Sequence, residues 1–273
     1  MPDTKIIKKW DNFWQNAPPD ILDDKLDDWY SLVWKVGREY WCEIFDKYGK
    51  GKKLIECGAG SAKLSLYLAK HGYDCTMLDN SEEGLNLGKA RFSKENLPGK
   101  FILGDVTKMG FKDATFDIVT SGGLLHHFED IRPAVKEMVR VLKPGGVFAA
   151  VVIPKKFSCQ TVGDFEHFMV RFAKNLMKGR FKGIISESSS KFPFYISSLS
   201  LKQYMEIFQA AGLENVVGTG LSPFPSLALP QIGQRAYAEL MKKMMPLWKR
   251  FDSSHSKFTE IWGASFGIYG FKK

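Results

Sequence analysis

The chain has 273 residues, of which 44% are hydrophobic and 25% charged, so it can build the core of one enlarged α/β domain and is not a disordered protein. It has no apolar run of membrane-spanning length, no signal-peptide pattern and no C-x-x-C pair among its four cysteines, so we expect a reduced, cytoplasmic protein without structural zinc. The net charge of +9 is concentrated in the second half, where residues 155–191 carry eight Lys/Arg and three Asp/Glu. Such a positive surface could attract nucleic acid, anionic lipid or an anionic small molecule. An ordinary solvated surface is the simpler interpretation.

The first 50 residues are rich in large aromatic side chains and are predicted to be helical. From Leu26 to Tyr48, apolar residues recur at steps of three and four, which is the period of an amphipathic helix. These positions are Trp29, Val33, Val36, Tyr40, Ile44 and Phe45. We therefore expect an N-terminal helical cap over residues 1–50 that packs on the rest of the protein. A lid over a ligand site is the alternative interpretation.

Short apolar runs alternate with helical stretches between residues 51 and 154. The order is strand, helix, strand, helix, strand, followed by two more strands separated by a helical run at 130–143. The last run, 145–154, is apolar on both faces, which is typical of a parallel strand buried beneath helices. The pattern predicts an α/β protein with an open, doubly wound parallel sheet.

After Pro154 the alternation stops for about 45 residues, so residues 155–198 are interpreted as an insertion. It resumes with a helix at 199–211 and a strand at 213–219. A further helix is predicted at 236–251 and a last strand at 263–273. We therefore expect a single domain over 1–273, in which 51–154 and 199–273 together form the core.

The segment from Leu54 to Ala62 is a strand that runs into a glycine turn and then a helix. Gly58 and Gly60 fit a dinucleotide-binding fingerprint, but Lys63 stands at the third glycine position, which disfavours NAD. The pattern Glu-x-Gly-x-Gly-x-Ala, in which Glu56 ends the strand, instead resembles the first motif of class I S-adenosylmethionine-dependent methyltransferases. Within that class the chain is most similar to the group called type 11 methyltransferases.

The following strands carry the other motifs of this family at matching places. Asp79, 23 residues after Glu56, ends the second strand, where a carboxylate can accept hydrogen bonds from both ribose hydroxyls. Asp105 and Val106 resemble the adenine-binding element at the end of the third strand. The fourth strand and its substrate-facing loop match at 116–122, and the turn before the fifth strand matches at 142–146.

The resemblance implies a Rossmann-like, doubly wound, mostly parallel seven-stranded sheet with an N-terminal helical cap. It also implies that the cofactor is S-adenosylmethionine and that the insertion at 155–198, after the fifth strand, is a substrate lid. The residues expected to bind the cofactor are Glu56, Gly58, Ala59, Gly60, Asp79, Asn80, Asp105, Val106, Ser121 and Gly122. In this family the glycine turn admits the methionine moiety, and the acidic residue at position 56 helps to hold its amino group.

A sulfonium methyl group is already activated, so the protein mainly has to align the acceptor and exclude water. Where the acceptor is a hydroxyl, a general base helps, and His126 and His127 follow the fourth strand at the place where substrate meets cofactor in this fold. We predict that one of them is the base. The alternative is that they only cap or pack the next helix.

The acceptor itself is only partly constrained. Residues 120–123 lack the Asp/Asn-Pro-Pro-aromatic signature of enzymes that methylate the amine of a flipped base, so a small-molecule substrate is favoured over nucleic acid. No metal is expected. A methyltransferase that acts on RNA or protein, and a cofactor-binding relative without turnover, remain alternatives. The sequence leaves the oligomeric state and the methylated atom open.

Several aromatic residues of the insertion share helical spacing, among them Phe165, Phe168, Phe172 and Leu176. We interpret most of the aromatics in the insertion as core residues, with its basic residues on the outer face. An aromatic pocket with a cationic rim is the alternative. Either way, substrate selectivity is expected to reside in this segment.

Overall fold

The computed structural model describes residues 4–16, 29–178 and 195–273. Within these ranges, seven strands form one sheet in the order β3-β2-β1-β4-β5-β7-β6. Neighbouring strands run parallel from β3 to β5, and β7 lies antiparallel between β5 and β6. The strands are β1 (Lys53–Cys57), β2 (Asp74–Asp79), β3 (Lys100–Leu103), β4 (Phe116–Gly122), β5 (Leu142–Val152), β6 (Leu213–Leu221) and β7 (Ser265–Lys272). The predicted fold class is thereby confirmed.

Helices connect the strands and cover both faces of the sheet. Two of them precede β1, namely α1 (Thr4–Gln15) and α2 (Trp29–Tyr48). The others in the described ranges are α3 (Lys63–Lys70), α4 (Glu82–Lys94), α5 (Arg132–Val141), α6 (Cys159–Met177), α7 (Leu201–Ala210), α8 (Gln231–Lys243), α9 (Met245–Asp252) and α10 (Lys257–Trp262). No described helix is both long and apolar enough to cross a membrane.

The connections place a crevice at the middle of the sheet. From β1 the chain winds outward through β2 to β3, and it then returns to form β4 on the other side of β1. The loops after β1 and β4 therefore leave the sheet in opposite directions. In such folds this switch in strand order opens a ligand-binding crevice at the carboxyl ends of the strands.

The alternation of side chains along each strand divides the core into two layers. On one face Ile55 and Cys57 pack with residues of α5 and α7, including Met138 and Phe208. On the other face Leu54 packs with residues of α2, α3 and α4. Glu56 points to the same face as Leu54, so a carboxylate enters the layer beneath α3. The Glu56 carboxylate therefore lies at the carboxyl end of β1, where it borders the crevice.

The C-terminal helical run differs from the single helix expected over 236–251. It forms two helices, α8 and α9, that meet at Met244. The break is caused by Pro246, which lacks a backbone N–H and stands at the start of α9, where no intrahelical donor is needed. Both helices pack against α2 in a small cluster that contains Leu32, Ala238 and Trp248.

The described part of the insertion at 155–198 differs most from the sequence prediction, in which side of its helix is buried. Phe165, Phe168, Phe172 and Leu176 do share one side of α6, but that side faces solvent, so the prediction that they are core residues is wrong. The opposite side of α6 packs on the body, where a side chain on Gly163 would lie only 2.3 Å from the Ser226 carbonyl oxygen. Other aromatic and basic residues of this segment, to which the same prediction applied, lie outside the described residues, namely Phe181, Phe192, Phe194, Arg180 and Lys182.

Candidate functional site

A cavity of about 1020 Å³ lies at the carboxyl ends of β1 to β4. This volume is at the upper end of the range for small-molecule sites. One side, here called the strand-end wall, consists of Glu56, Gly58, Ala59, Gly60, Ser61, Leu78, Asp79, Asn80, Gly104, Asp105, Val106, Thr107, Gly122 and Gly123. The opposite side, the helical wall, consists of Ile6, Trp10, Phe13 and Trp14 of α1 and Trp29, Ser31 and Trp34 of α2. The cavity is therefore polar on one side and aromatic on the other.

The glycine turn after β1 is tightly packed. Gly58 has a φ of +69° and Gly60 a φ of +48°, conformations that disfavour residues with a side chain. A Cβ on Gly58 would lie 2.8 Å from the Leu124 side chain, which follows β4. The Gly58 and Ala59 N–H groups both donate to the Leu78 carbonyl of β2, at 2.8 and 3.1 Å. The turn thus holds the ends of three adjacent strands in a fixed arrangement.

Ala62 takes the left-handed conformation at the start of α3, with a φ of +55°. Its methyl group is fully buried, and a Cβ on Gly88 of α4 would lie 3.0 Å from it. A residue larger than alanine would meet both the backbone strain and this close packing. Glycine is commoner at this place in the family that the sequence resembles, and the positive φ gives the physical reason.

The Glu56 side chain is 4% exposed and is held from below by α3. Its Oε2 atom accepts hydrogen bonds from the backbone N–H of Ser65, at 3.0 Å, and from the Ser65 hydroxyl. Burial raises the pKa of Glu56 to about 7, and the two bonds from Ser65 oppose this rise. A cationic group placed at the cavity would reverse the shift, so the site favours a positively charged partner.

Asp79 and Asp105 lie at the ends of β2 and β3. Asp79 accepts a 2.7 Å bond from the Gly60 N–H on Oδ2 and a 2.8 Å bond from the Ser81 N–H on Oδ1, and burial raises its pKa. Each of these oxygens keeps a second lone pair. In Asp105, Oδ1 accepts from both the N–H and the hydroxyl of Thr107 at 2.8 Å, which leaves Oδ2 as the acceptor for a ligand.

Of the twelve predicted site residues, the structure brings ten into this one cavity. The cavity is lined by Glu56, Gly58, Ala59, Gly60, Asp79, Asn80, Asp105, Val106, Gly122 and His127. Ser121 and His126 are buried and are not part of the wall. The difference follows from position along the chain, because Ser121 alternates with Gly122 on β4 and so points away from the cavity.

The two adjacent histidines have different environments. Burial lowers the pKa of His126 to about 3, and its Nδ1 atom has no hydrogen-bond partner among the described residues. His127 lines the cavity, and its Nδ1 atom lies 2.8 Å from the Tyr195 carbonyl oxygen. A carbonyl can only accept, so Nδ1 carries the proton and Nε2 carries the lone pair. Burial also lowers the pKa of His127, so the ring is neutral near pH 7.

Helix α1 closes the cavity from above the glycine turn. The Trp14 indole fills the space over the turn, since a Cβ on Gly60 would lie 2.3 Å from this ring and a Cβ on Gly84 3.0 Å from it. The Ser81 hydroxyl donates to Asp11 at 2.6 Å. A second polar contact joins α1 to α4, from the Gln15 amide to the Glu83 carboxylate at 3.1 Å. Among the described residues, the Trp14 ring and these two polar contacts thus join α1 to α4 and the glycine turn.

The helical wall reaches the histidine at the far side of the cavity. The Trp10 ring meets the His127 ring edge to face, with 5.1 Å between the centroids. On α2, the Trp34 ring lies 5.6 Å from the Lys63 Nζ atom, and both residues line the cavity. Apolar and aromatic surface thus extends from the glycine turn to His127.

Several residues that line the cavity were not predicted from the sequence. Thr107 and Phe128 directly follow predicted site residues, so proximity in sequence could have indicated them. Ser226 and Gln234 come from a loop and a helix that lie at least 80 residues beyond the last motif, and no local pattern marks them. Of the described residues in the 155–198 insertion, none lines the cavity; Tyr195 contributes only through its carbonyl bond to His127.

Comparisons with known proteins show the family to which the chain is related. Residues 55–150 match the family model described as a methyltransferase domain. A demethylmenaquinone methyltransferase of Leptospira interrogans is 30% identical over 175 residues, which are 61% of this chain and 65% of that protein. A demethylmenaquinone methyltransferase of Bacillus cereus is 30% identical over 209 residues, which are 71% of this chain and 85% of that protein. The chain thus spans slightly less than two thirds of the Leptospira relative.

A solved structure extends the comparison to the fold. The Haemonchus contortus phosphoethanolamine N-methyltransferase, solved with phosphomonomethylethanolamine and S-adenosylhomocysteine, superposes with a TM-score of 0.54 at 17% sequence identity. The match covers 87% of this chain and 52% of that chain. At this identity the likeness shows that the two proteins share a fold.

Proposed function

The chain belongs to the class I S-adenosylmethionine-dependent methyltransferases, and we propose that it transfers the methyl group of S-adenosylmethionine to a small aromatic acceptor of the quinol or phenol kind. The observation that carries the proposal is the division of one cavity into two walls. Three carboxylates stand at the ends of adjacent strands, and tryptophan and phenylalanine rings stand opposite them. The first wall suits the cofactor and the second suits an apolar acceptor.

The donor groups of the cofactor match the acceptors of the strand-end wall. S-adenosylmethionine carries an ammonium group, two ribose hydroxyls and an exocyclic amine, all of which donate hydrogen bonds. Glu56, Asp79 and Asp105 each keep acceptor capacity after their protein contacts are counted. Gly58 and Gly60, whose positive φ values favour glycine, line the cavity without side chains, and the Trp14 indole covers the Cβ side of Gly60. These residues would hold the cofactor.

When bound, the cofactor supplies a methyl group on a positively charged sulfur. The protein then has to hold the acceptor in line with that group, exclude water and remove a proton. His127 is the residue that we assign to proton removal, because it lines the cavity and presents Nε2 as the base. His127 takes the hydroxyl proton of the acceptor as the new bond to carbon forms. His126, outside the wall, has no such role.

The helical wall supports an acceptor with flat apolar rings. Trp10, Phe13, Trp29 and Trp34 offer ring faces and edges for stacking, with Phe128 beside His127. The relatives in Leptospira and Bacillus are named as demethylmenaquinone methyltransferases. A quinol carries ring hydroxyls, and His127 would accept the proton of a hydroxyl held at its Nε2 atom, which fits a quinol acceptor. The aromatic wall and the base thus point to the same chemical class.

Two measurements test the proposal. Calorimetry should show that S-adenosylhomocysteine binds, and that Asp79→Ala weakens binding by about 1.5 to 3 kcal/mol through loss of bonds to a charged acceptor. Asp74→Ala, at the exposed start of the same strand, is the matched control and should bind normally. With labelled S-adenosylmethionine, a panel of reduced quinols, phenols, amines and short RNAs should then yield methylated quinol or phenol. Unchanged affinity in Asp79→Ala, or label transferred only to RNA, would refute the proposal.

A further inference from the structure

Helix α6 presents its apolar side to solvent. Val162, Phe165, Met169, Phe172 and Leu176 follow one another at steps of three and four along this side, here called the α6 stripe. All five are exposed, from 36% for Phe172 to 64% for Phe165. A helix on a protein surface normally turns such a stripe toward the core. The described residues therefore leave the α6 stripe uncovered.

Hydrogen bonds on the opposite side of the helix fix this orientation. The Glu166 carboxylate accepts from the Ala228 N–H at 2.8 Å, and the Gln160 side-chain oxygen accepts from the Ser226 N–H at 3.2 Å. Gly163 allows the helix to approach Ser226 closely. Rotation of α6 to bury the stripe would break these bonds and leave buried backbone groups unpaired. The polar side thus anchors the helix, and the apolar side is held outward.

The charges of α6 change along its length. The first half contains Asp164 and Glu166, of which Glu166 is used in anchoring. From Phe168 to Lys178 there are no acidic residues, while Arg171, Lys174 and Lys178 are all exposed and lie at steps of three and four. These three cations occupy a side of the helix different from that of the stripe. Apolar rings on one side and cations on another are the composition of helices that lie in a membrane interface.

We propose that the α6 stripe docks on the surface of an anionic phospholipid bilayer, with its apolar side chains among the acyl chains and Arg171, Lys174 and Lys178 at the headgroups. Charge complementarity favours this partner, since the exposed cations of α6 and the net charge of +9 are attracted by anionic lipid. The anchor of α6 also connects the stripe to the site, because Ser226 both binds Gln160 and lines the cavity.

Vesicle flotation tests the docking on the full chain. The wild type should float with vesicles of phosphatidylcholine mixed with phosphatidylglycerol and much less with phosphatidylcholine alone. Phe165→Ser combined with Phe172→Ser should weaken binding at least tenfold, since each replaces apolar surface that would enter the bilayer. Leu247→Ser on α9, where Leu247 is 52% exposed, is the matched control and should float like the wild type.

A second pair of variants tests the charges separately. Arg171→Glu combined with Lys174→Glu should weaken binding to the mixed vesicles by about fivefold or more for each charge, with little change for phosphatidylcholine. All of these residues are exposed, so thermal unfolding and S-adenosylhomocysteine affinity should stay at wild-type values, which separates this proposal from the proposed activity. Absence of flotation, or flotation that the serine pair does not weaken, would overturn it. Self-association abolished by the serine pair, without vesicle binding, would instead assign the stripe to an interface between copies.

Discussion

The two walls of the cavity are positioned by different means. In the strand-end wall, Asp79 is bound by the N–H groups of Gly60 and Ser81, and Glu56 is bound by Ser65, so the carboxylates are fixed by buried strands and their turns. In the helical wall, α1 is attached through Trp14 and a few polar contacts. Groups fixed by buried strands suit recognition of a constant cofactor, whereas a helix that lies outside the sheet and covers the cavity suits exchange of ligands. Changes in the first wall should therefore alter affinity, and changes in α1 should alter rates.

The largest effect on turnover is expected at His127, which lines the cavity and contacts Trp10 of the helical wall. His127→Ala should lower turnover at saturating cofactor by roughly 10² to 10⁴ with little change in cofactor affinity, because it removes the base but not the strand-end wall. In the wild type the rate should rise with pH through a pKa below the ordinary 6.5 of histidine, since the lone pair of His127 is needed. Turnover assays of the wild type and His127→Ala over a range of pH measure both the loss of rate and the pKa of the rate.

His126→Ala is the matched control for this prediction. It should lower the free energy of unfolding, because His126 is buried and packs against its neighbours, but it should keep the pH dependence of turnover. If His127→Ala turns over at the wild-type rate, alignment alone performs the reaction. If His126→Ala removes the pH dependence instead, the assignment of the base is wrong.

Glu56→Gln should separate stability from affinity within the strand-end wall. The folded-state pKa of about 7 lies above the ordinary value of 4.5 for glutamate, so the wild type loses stability as pH rises from about 4.5 through 7, when a buried carboxyl must ionise. The amide variant avoids this cost and should gain about 1 to 3 kcal/mol at pH 8 and almost nothing at pH 4. Thermal and denaturant unfolding at both pH values measure the difference.

The same variant should bind S-adenosylhomocysteine about tenfold to a hundredfold more weakly at pH 8, because it lacks the anion that holds the ammonium group. Wild-type affinity should itself fall as pH drops below about 7, where Glu56 gains a proton. Glu214→Gln, an exposed position on β6, should change neither property. Equal affinity for the variant and the wild type would place the ammonium group elsewhere.

Trp14→Ala should act through the helical wall. Without the indole over Gly60 and Gly84, α1 loses its main apolar contact, so release of S-adenosylhomocysteine should be about tenfold faster while global unfolding is unchanged. Stopped-flow fluorescence gives the release rate, and hydrogen exchange over residues 4–15 should lose its ligand-dependent protection. Asn12→Ala, on the exposed side of the same helix, is the control. A wild-type release rate in Trp14→Ala would mean that α1 does not gate the cavity.

The smallest effect on stability is expected at Ala62, at the start of α3 directly after the glycine turn. In Ala62→Gly, relief of the left-handed conformation, about 1 to 2 kcal/mol, opposes the loss of a buried methyl, about 0.8 kcal/mol, and the entropy of glycine. The free energy of unfolding should therefore change by less than about 1 kcal/mol. Ala59→Gly, without a positive φ to relieve, should be destabilised by about 1 kcal/mol. Equal destabilisation of the two variants would contradict the strain at Ala62.

The sequence predicted the strand-end wall better than the helical wall, for a physical reason. Glu56, Asp79 and Asp105 end parallel strands, and the carboxyl ends of such strands meet at one edge of the sheet. Ser121 and His126 were included with them because sequence proximity does not reveal which neighbour points into the core. Ser226, from a distant loop, reaches the cavity only through tertiary packing.

The α6 stripe shows a second limit of sequence reasoning. The spacing of Phe165, Phe172 and Leu176 correctly predicts a helix with an apolar side, but periodicity does not say which way that side faces. The direction is decided by Glu166 and Gln160, which bind a loop more than 50 residues further along the chain. No pattern within the helix encodes that contact.

The central claim is that the strand-end wall holds the cofactor while the helical wall closes over the acceptor. A crystal structure with S-adenosylhomocysteine tests it most directly. We expect the amino group at Glu56, the ribose at Asp79 and the adenine at Asp105, with the sulfur directed toward His127 and the rings of α1. Ligand bound with its ribose away from Asp79, or with its sulfur directed away from both His127 and the helical wall, would contradict the claim.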